Sequence, residues 1–139
     1  MFSKSNLLGT LVGTVSFFVL TILFYILLFT TFLDNYHHEI EGLHKDNPSN
    51  FWFYLSLILM SFILSTIYGK FKKENHNFIG GFEIGAWVAA FFFLGTSILH
   101  NSTLNHLDMI GVILSGVVAV IMVGIVAGLI AIVYKVTSK

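Results

Sequence analysis

The chain has 139 residues, of which 56% are hydrophobic and only 10% are charged, and its formal net charge is zero. A soluble domain of this size would carry about a quarter charged residues. The composition therefore predicts a membrane protein, and the charge balance argues against nucleic acid as a partner. The absence of cysteine excludes disulfides, iron–sulfur ligation and thiol catalysis.

Four long apolar runs follow one another along the chain, roughly at residues 7–33, 51–68, 78–99 and 109–133. At 1.5 Å per residue, each run is long enough to cross a hydrocarbon core of about 30 Å as a helix. The links between them are short, so consecutive helices are expected to pack antiparallel. We predict an all-α polytopic membrane protein, an up-down bundle of four transmembrane helices that forms one domain over residues 1–139.

Histidines and acidic residues follow the first run, at spacings of three, four and three residues that would place them on one face of a continued helix. They are Asp34, His37, Glu41 and His44. The third connection would add His100 and His106 on the same side of the membrane. Imidazole and carboxylate groups suit zinc or another divalent transition metal. A solvated, negatively charged loop is the alternative, and Gly42 weakens a continuous helix there.

Lysines are distributed unevenly between the two sides of the predicted bundle. One side holds six of the seven: Lys4, Lys70, Lys72, Lys73, Lys135 and Lys139. The first connection, on the other side, contains Lys45 and four acidic residues. The positive-inside rule then places both termini and the second connection in the cytoplasm. We therefore predict a membrane protein with both termini in the cytoplasm, an N-in/C-in topology.

Glu83 is the one ionisable residue within a predicted span, and it lies between Gly81 and Gly85. Intramembrane carboxylates take part in proton coupling or cation binding. Counted from Phe78 at 1.5 Å per residue, Glu83 lies about 7–8 Å inward, which is shallow enough to reach water or the lysines of the second connection. The sequence leaves open both a coupling role and a snorkelling or lysine-paired carboxylate.

Pairs of glycines spaced four residues apart occur in three of the four runs. They are Gly9 and Gly13, Gly81 and Gly85, and Gly124 and Gly128. Small residues at this spacing let membrane helices approach each other closely. Because the pairs in the first and fourth runs lie at matching depths, we predict that these two helices touch backbone to backbone, within one chain or between two copies.

Several sequence motifs are similar to those of a known family. They are Leu-Leu-Gly-Thr-Leu-Val-Gly-Thr-Val at 7–15, Phe-Tyr-Ile-Leu-Leu at 24–28, and the glycine pairs of the third and fourth runs. Over nearly the whole chain, they resemble a family of small four-helix bacterial inner-membrane proteins of unknown function. The resemblance implies the fold and the location, and it supplies no catalytic residues. Thr14 stands where that family usually has a second glycine.

These observations favour a small integral membrane protein without catalytic activity. It would act as an accessory or interaction bundle through helix packing, as a homo-oligomer or with another membrane protein. One alternative is binding or transport of a divalent metal or another cation by the outer His/Asp/Glu surface. A second is a lipid- or quinone-binding membrane enzyme, which would need a cavity between the helices.

Overall fold

The computed structural model describes residues 3–24, 26, 50–72, 75–101 and 109–137. Five α-helices and one π-helix make up this part of the chain: α1 (Lys4–Phe24), α2 (Asn50–Phe71), α3 (Phe78–Ala89), the π-helix (Ala90–Gly95), α4 (Thr96–Asn101) and α5 (Met109–Thr137). The third apolar run, Phe78–His100, is one continuous helical stretch built from α3, the π-helix and α4, and is called the third span below.

Within the described residues, four helical stretches are long and apolar enough to cross a membrane. They are Lys4–Phe24, Asn50–Phe71, Phe78–His100 and Met109–Thr137. For this part of the chain, the prediction of an all-helical fold with four such helices is confirmed.

The start of α3 is fixed by a side-chain cap at Asn77. This residue has extended backbone angles, and its side-chain oxygen accepts a hydrogen bond from the Gly80 N–H at 2.6 Å. Such a cap satisfies one of the backbone donors that the first turn of a helix leaves unpaired. Asn75, two residues earlier, has a φ of 55°, a left-handed conformation that asparagine tolerates better than most residues.

Contacts between α1 and its neighbours show that the helices alternate in direction. A Cβ atom added at Gly9, near the start of α1, would lie 2.7 Å from Ser65 Oγ near the end of α2. The same atom would lie 3.3 Å from the ring of Tyr134, near the end of α5. One further turn along α1, Gly13 faces Ser61 and Ile130. Helix α1 is therefore antiparallel to both α2 and α5, as expected for an up-down order.

The closest helix contact joins the third span to α5. A Cβ atom added at Gly81 would lie 2.5 Å from the carbonyl oxygen of Ala127, and one at Gly85 would lie 2.7 Å from that of Val123. Backbones can approach this closely only where side chains are absent. Glycines on both helices line this contact: Gly81, Gly85, Gly124 and Gly128. It is called the glycine seam below.

The predicted partners of the glycine pairs are therefore wrong in one respect. Helices α1 and α5 do contact each other, but Gly124 and Gly128 face the rings of Phe82 and Phe78 on the third span. Gly9 and Gly13 instead receive side chains from α2 and α5. The depth of the glycines along the helices does not show whether the α5 pair faces α1 or the third span. Gly81 and Gly85 lie at a depth similar to that of Gly9 and Gly13.

Helix α5 is the centre of the bundle. Its buried residues run from Gly111 to Tyr134, and Val126, Ala127 and Ile130 are fully covered. Helix α1 and the third span flank α5, whereas α2 packs mainly on α1 and touches the third span only slightly. The four helices therefore leave a gap between α2 and the third span.

Candidate ligand-binding cleft

The gap between α2 and the third span is an apolar cleft with a volume of about 410 Å³. Binding cavities for small molecules commonly measure about 300–1,000 Å³. All four membrane-length helices contribute to the lining: Phe17, Met60, Ile63, Leu64, Ile67, Val88, Phe92, Phe93, Thr96 and Val123. The cleft lies near the middle of the helices, since Met60 is the midpoint of α2.

The inner wall of the cleft belongs to the core, and its mouth faces outward. Phe17, Leu64 and Val123 are at most 3% exposed and form the inner wall. Ile63 and Phe92 are 55% and 57% exposed and stand on either side of the opening. A ligand would therefore enter sideways, between α2 and the third span, and would rest against α1 and α5.

The π-helix shapes the wall that the third span contributes. It covers Ala90–Gly95, and Thr96, which follows it, donates its hydroxyl to the Phe92 carbonyl oxygen. A π-helical turn inserts an extra residue per turn, which shifts the helix face and recurs at functional sites. Here Phe92, Phe93 and Thr96 line the cleft, while Leu94 packs over Gly116 of α5.

The chemistry of the lining is that of hydrocarbon binding. Nine of the ten lining side chains are apolar, and the Thr96 hydroxyl is already bonded to its own helix. Among the described residues, the lining includes no carboxylate, imidazole or amine that could act as an acid, a base or a metal ligand. These lining residues can select a ligand by shape and by packing contacts.

A polar cluster closes the bundle at one end, away from the cleft. Tyr134 donates its hydroxyl to the Ser65 carbonyl oxygen at 3.0 Å, and Ser65 donates its own to the Asn6 carbonyl oxygen at 3.2 Å. The fully buried Tyr68 pairs its hydroxyl with Nδ1 of His76 at 3.0 Å. These bonds join α1, α2, α5 and the α2–α3 connection, which satisfies polar groups that burial would otherwise penalise.

Several lysines lie near this cluster. They are Lys4, Lys70, Lys72 and Lys135, placed where α1 begins and where α2 and α5 end. Thr137 of α5 donates its hydroxyl to that of Ser5 of α1 at 2.7 Å, so these helix ends are adjacent. We call this end of the bundle the lysine end. The structure thus brings together four of the six lysines that the sequence assigned to one side; Lys73 and Lys139 lie outside the described residues.

Most of the predicted metal ligands lie outside the part of the chain that the structure describes. These are Asp34, His37, Glu41, His44 and His106. His100 is described and is exposed near the end of the third span. Within residues 3–24, 26, 50–72, 75–101 and 109–137, no three His, Asp or Glu side chains are grouped so that they could hold a metal ion. The metal site therefore stays a prediction.

Glu83 is exposed on the face of α3 that points away from the glycine seam. The buried residues of α3 are Gly81, Gly85 and Ala89, and Glu83 lies about half a turn around the helix from them. It contributes nothing to the lining of the cleft. A coupling role for Glu83 inside the bundle therefore receives no support from its neighbours.

The cleft was not predicted from the sequence. The run Ala-Phe-Phe-Phe-Leu-Gly at 90–95 is apolar whether its hydrogen bonds are α-helical or π-helical, so hydropathy gives no signal there. The aromatic residues in that run are the feature that could have drawn attention to it. Phe92 and Phe93 form part of the wall, and Phe91 lies outside it.

No protein-family model, curated protein or solved structure matches this chain. The resemblance to small four-helix inner-membrane proteins therefore stays a prediction.

Proposed function

We propose that this chain is a multi-pass membrane protein that binds the hydrocarbon chain of a lipid in the cleft between α2 and the third span. The cleft is the observation that carries the proposal. It is apolar, it is lined by all four membrane-length helices, and its mouth opens sideways between α2 and the third span, toward the surrounding bilayer. This develops the lipid-binding alternative from the sequence, as a binding function and not as an enzyme.

Insertion in the bacterial inner membrane with both termini in the cytoplasm is part of the proposal. Four helices of suitable length and composition support insertion. The lysine end supports the orientation, because lysines are enriched on the cytoplasmic side of membrane proteins. In that orientation the cleft lies near the middle of the bilayer, at the depth of lipid acyl chains.

The six glycines weigh against an interaction function based on glycine faces. Gly81, Gly85, Gly124 and Gly128 pack against each other or against neighbouring rings, and Gly9 and Gly13 pack against α2 and α5. All six positions are therefore used inside one chain. Partner binding, if the bundle performs it, would have to use other faces.

A hydrocarbon chain in the cleft would be held by packing. Lipid chains already surround the protein, so the hydrophobic effect contributes nothing to this exchange. The binding free energy would come from van der Waals contacts on several sides of the hydrocarbon chain. A lipid beside an ordinary helix face makes such contacts on one side only. The hydrocarbon chain would rest against the inner wall of Phe17, Leu64 and Val123, and Val88 would contact it from the third span.

Photolabelling would test the proposal. The protein would be reconstituted in phosphatidylcholine that carries a photoactivatable diazirine in one acyl chain, and adducts would be mapped by mass spectrometry of peptides. We expect adducts to concentrate around Met60 and Phe92. Val88→Phe, which fills the cleft, should lower this labelling about tenfold, equivalent to about 1.4 kcal/mol of binding.

Val19→Phe is the matched control. Val19 is 54% exposed on α1 and lies outside the cleft lining, so the same substitution there should leave the labelling unchanged. Both variants should elute as single species in detergent, with unchanged helical content. Adducts spread evenly over all exposed helix faces, or equal labelling of folded Val88→Phe and wild type, would contradict the proposal.

A further inference from the structure

The third span exposes a stripe of side chains on the side away from the glycine seam. Ile79, Trp87 and Phe91 are 78%, 73% and 74% exposed, and Glu83 lies between the first two at the same four-residue spacing. We call these four residues the outer stripe. In a bilayer the outer stripe would face lipid, and it would present a carboxylate there.

A carboxylate facing lipid is unfavourable unless a cation or water accompanies it. Glu83 lies about 7–8 Å along the helix axis from Phe78, which is inside the apolar run. Across the described residues, no ion pair joins Glu83 to a lysine or histidine of the same chain. A cation close to Glu83 would lower this cost.

Lys72 supplies a positive charge to the same patch of surface. A Cβ atom added at Gly80 would lie 3.2 Å from Lys72 Nζ and 3.5 Å from its Cε. Gly80 precedes Glu83 by three residues, and residues at this spacing are neighbours on a helix surface. The patch therefore carries one acid and one base, side by side and at nearly the same depth.

From this arrangement we propose that a second copy of the chain docks on the outer stripe. Glu83 of each copy pairs with Lys72 of the other around a two-fold axis that runs along the membrane normal. A two-fold interface uses the same patch twice, so the patch has to complement itself. The membrane holds both copies at the same depth and in the same orientation, which brings acid to base. Trp87 and Phe91 add apolar contact further into the bilayer.

The proposal rests on the proposed membrane insertion and does not depend on ligand binding in the cleft. It also differs from the predicted oligomer, which would have used glycine faces. Those faces are filled within the chain, whereas the outer stripe lies on the opposite side of α3.

Exchange of the two charges tests the interface. Glu83→Lys and Lys72→Glu would be made in separate copies, and association would be measured by Förster transfer between donor- and acceptor-labelled copies in phosphatidylcholine vesicles. Each variant alone places like charges across both pairs, so its association should fall about tenfold or more relative to wild type. Mixed together, the two variants place opposite charges across both pairs, and transfer should return to near the wild-type level.

Mixing the two single variants distinguishes an ion pair between two copies from an ion pair within one copy. A pair within the chain would be restored when both exchanges are made in the same copy, and mixing the two single variants would restore nothing. Lys70→Glu is the control, because it makes the same charge change at the end of α2, and it should leave transfer unchanged. Glu83→Gln, a milder variant, should also weaken association. Wild-type transfer no higher than chance, or no recovery in the mixture, would overturn the proposal.

Discussion

Gly85 lies where the third span and α5 are closest, and it can be compared with another glycine in the same span. A Cβ atom added at Gly85 would lie 2.5 Å from Ala127 Cβ and 2.7 Å from the Val123 carbonyl oxygen. Helix backbones would have to separate to accommodate it. We therefore expect Gly85→Ala to lower the free energy of unfolding by about 1–3 kcal/mol, the usual cost of overpacking.

Gly95→Ala provides the control for this prediction. The nearest atom to an added Cβ at Gly95 is the Ala90 carbonyl oxygen at 3.9 Å, so the methyl group has room. Because alanine is favoured over glycine within a helix, this substitution should raise the free energy of unfolding, by at most about 1 kcal/mol. Unfolding of both variants can be followed by circular dichroism in mixed micelles with increasing denaturing detergent. Equal stabilities would show that the glycine seam tolerates a wider separation than the structure indicates.

At the scale of the helices, the sequence predicts positions well and partners poorly. The second and third runs, predicted at 51–68 and 78–99, form helices at Asn50–Phe71 and Phe78–His100. Uniform hydropathy is enough for this, and Asn77 gives the third span a defined start. Partner choice depends on which side chains meet, such as Ile130 against Gly13 and Phe82 against Gly124. The spacing and depth of the glycines do not indicate which side chains they meet.

The π-helix offers a test at the same scale. Deleting Phe91 would remove the extra residue, and the turn could then close as an ordinary α-helical turn. The residues beyond it would keep their places, with Leu94 still over Gly116, so the free energy of unfolding should fall by less than about 1 kcal/mol. Leu94→Ala, which opens a void over Gly116, should lower it by about 2 kcal/mol or more in the same detergent titration. A loss in the deletion as large as that of Leu94→Ala would show that the π-helix does not absorb a single extra residue.

For the whole molecule, the lysine end and the cleft depend on different features of the sequence. The convergence of Lys4, Lys72 and Lys135 follows from alternating helix direction, so the sequence predicts it from the order of runs and loops. The cleft follows from α2 packing on α1 and hardly on the third span. On the α1 side of α2, Ser61 and Ser65 lie against Gly13 and Gly9, and such small residues allow close helix packing. The hydropathy pattern therefore predicts that the lysines share one end of the bundle, but it does not predict the cleft.

The orientation of the whole bundle can be tested with single cysteines, because the native chain contains none. Ser3→Cys and Asn75→Cys would report on the lysine end, and Lys45→Cys would report on the first connection. If the lysines keep their end in the cytoplasm, a membrane-impermeant maleimide should label Lys45→Cys in intact bacterial cells. It should label Ser3→Cys and Asn75→Cys only after permeabilisation. Labelling of Asn75→Cys in intact cells would reverse the orientation, while leaving the glycine seam and the cleft as they are.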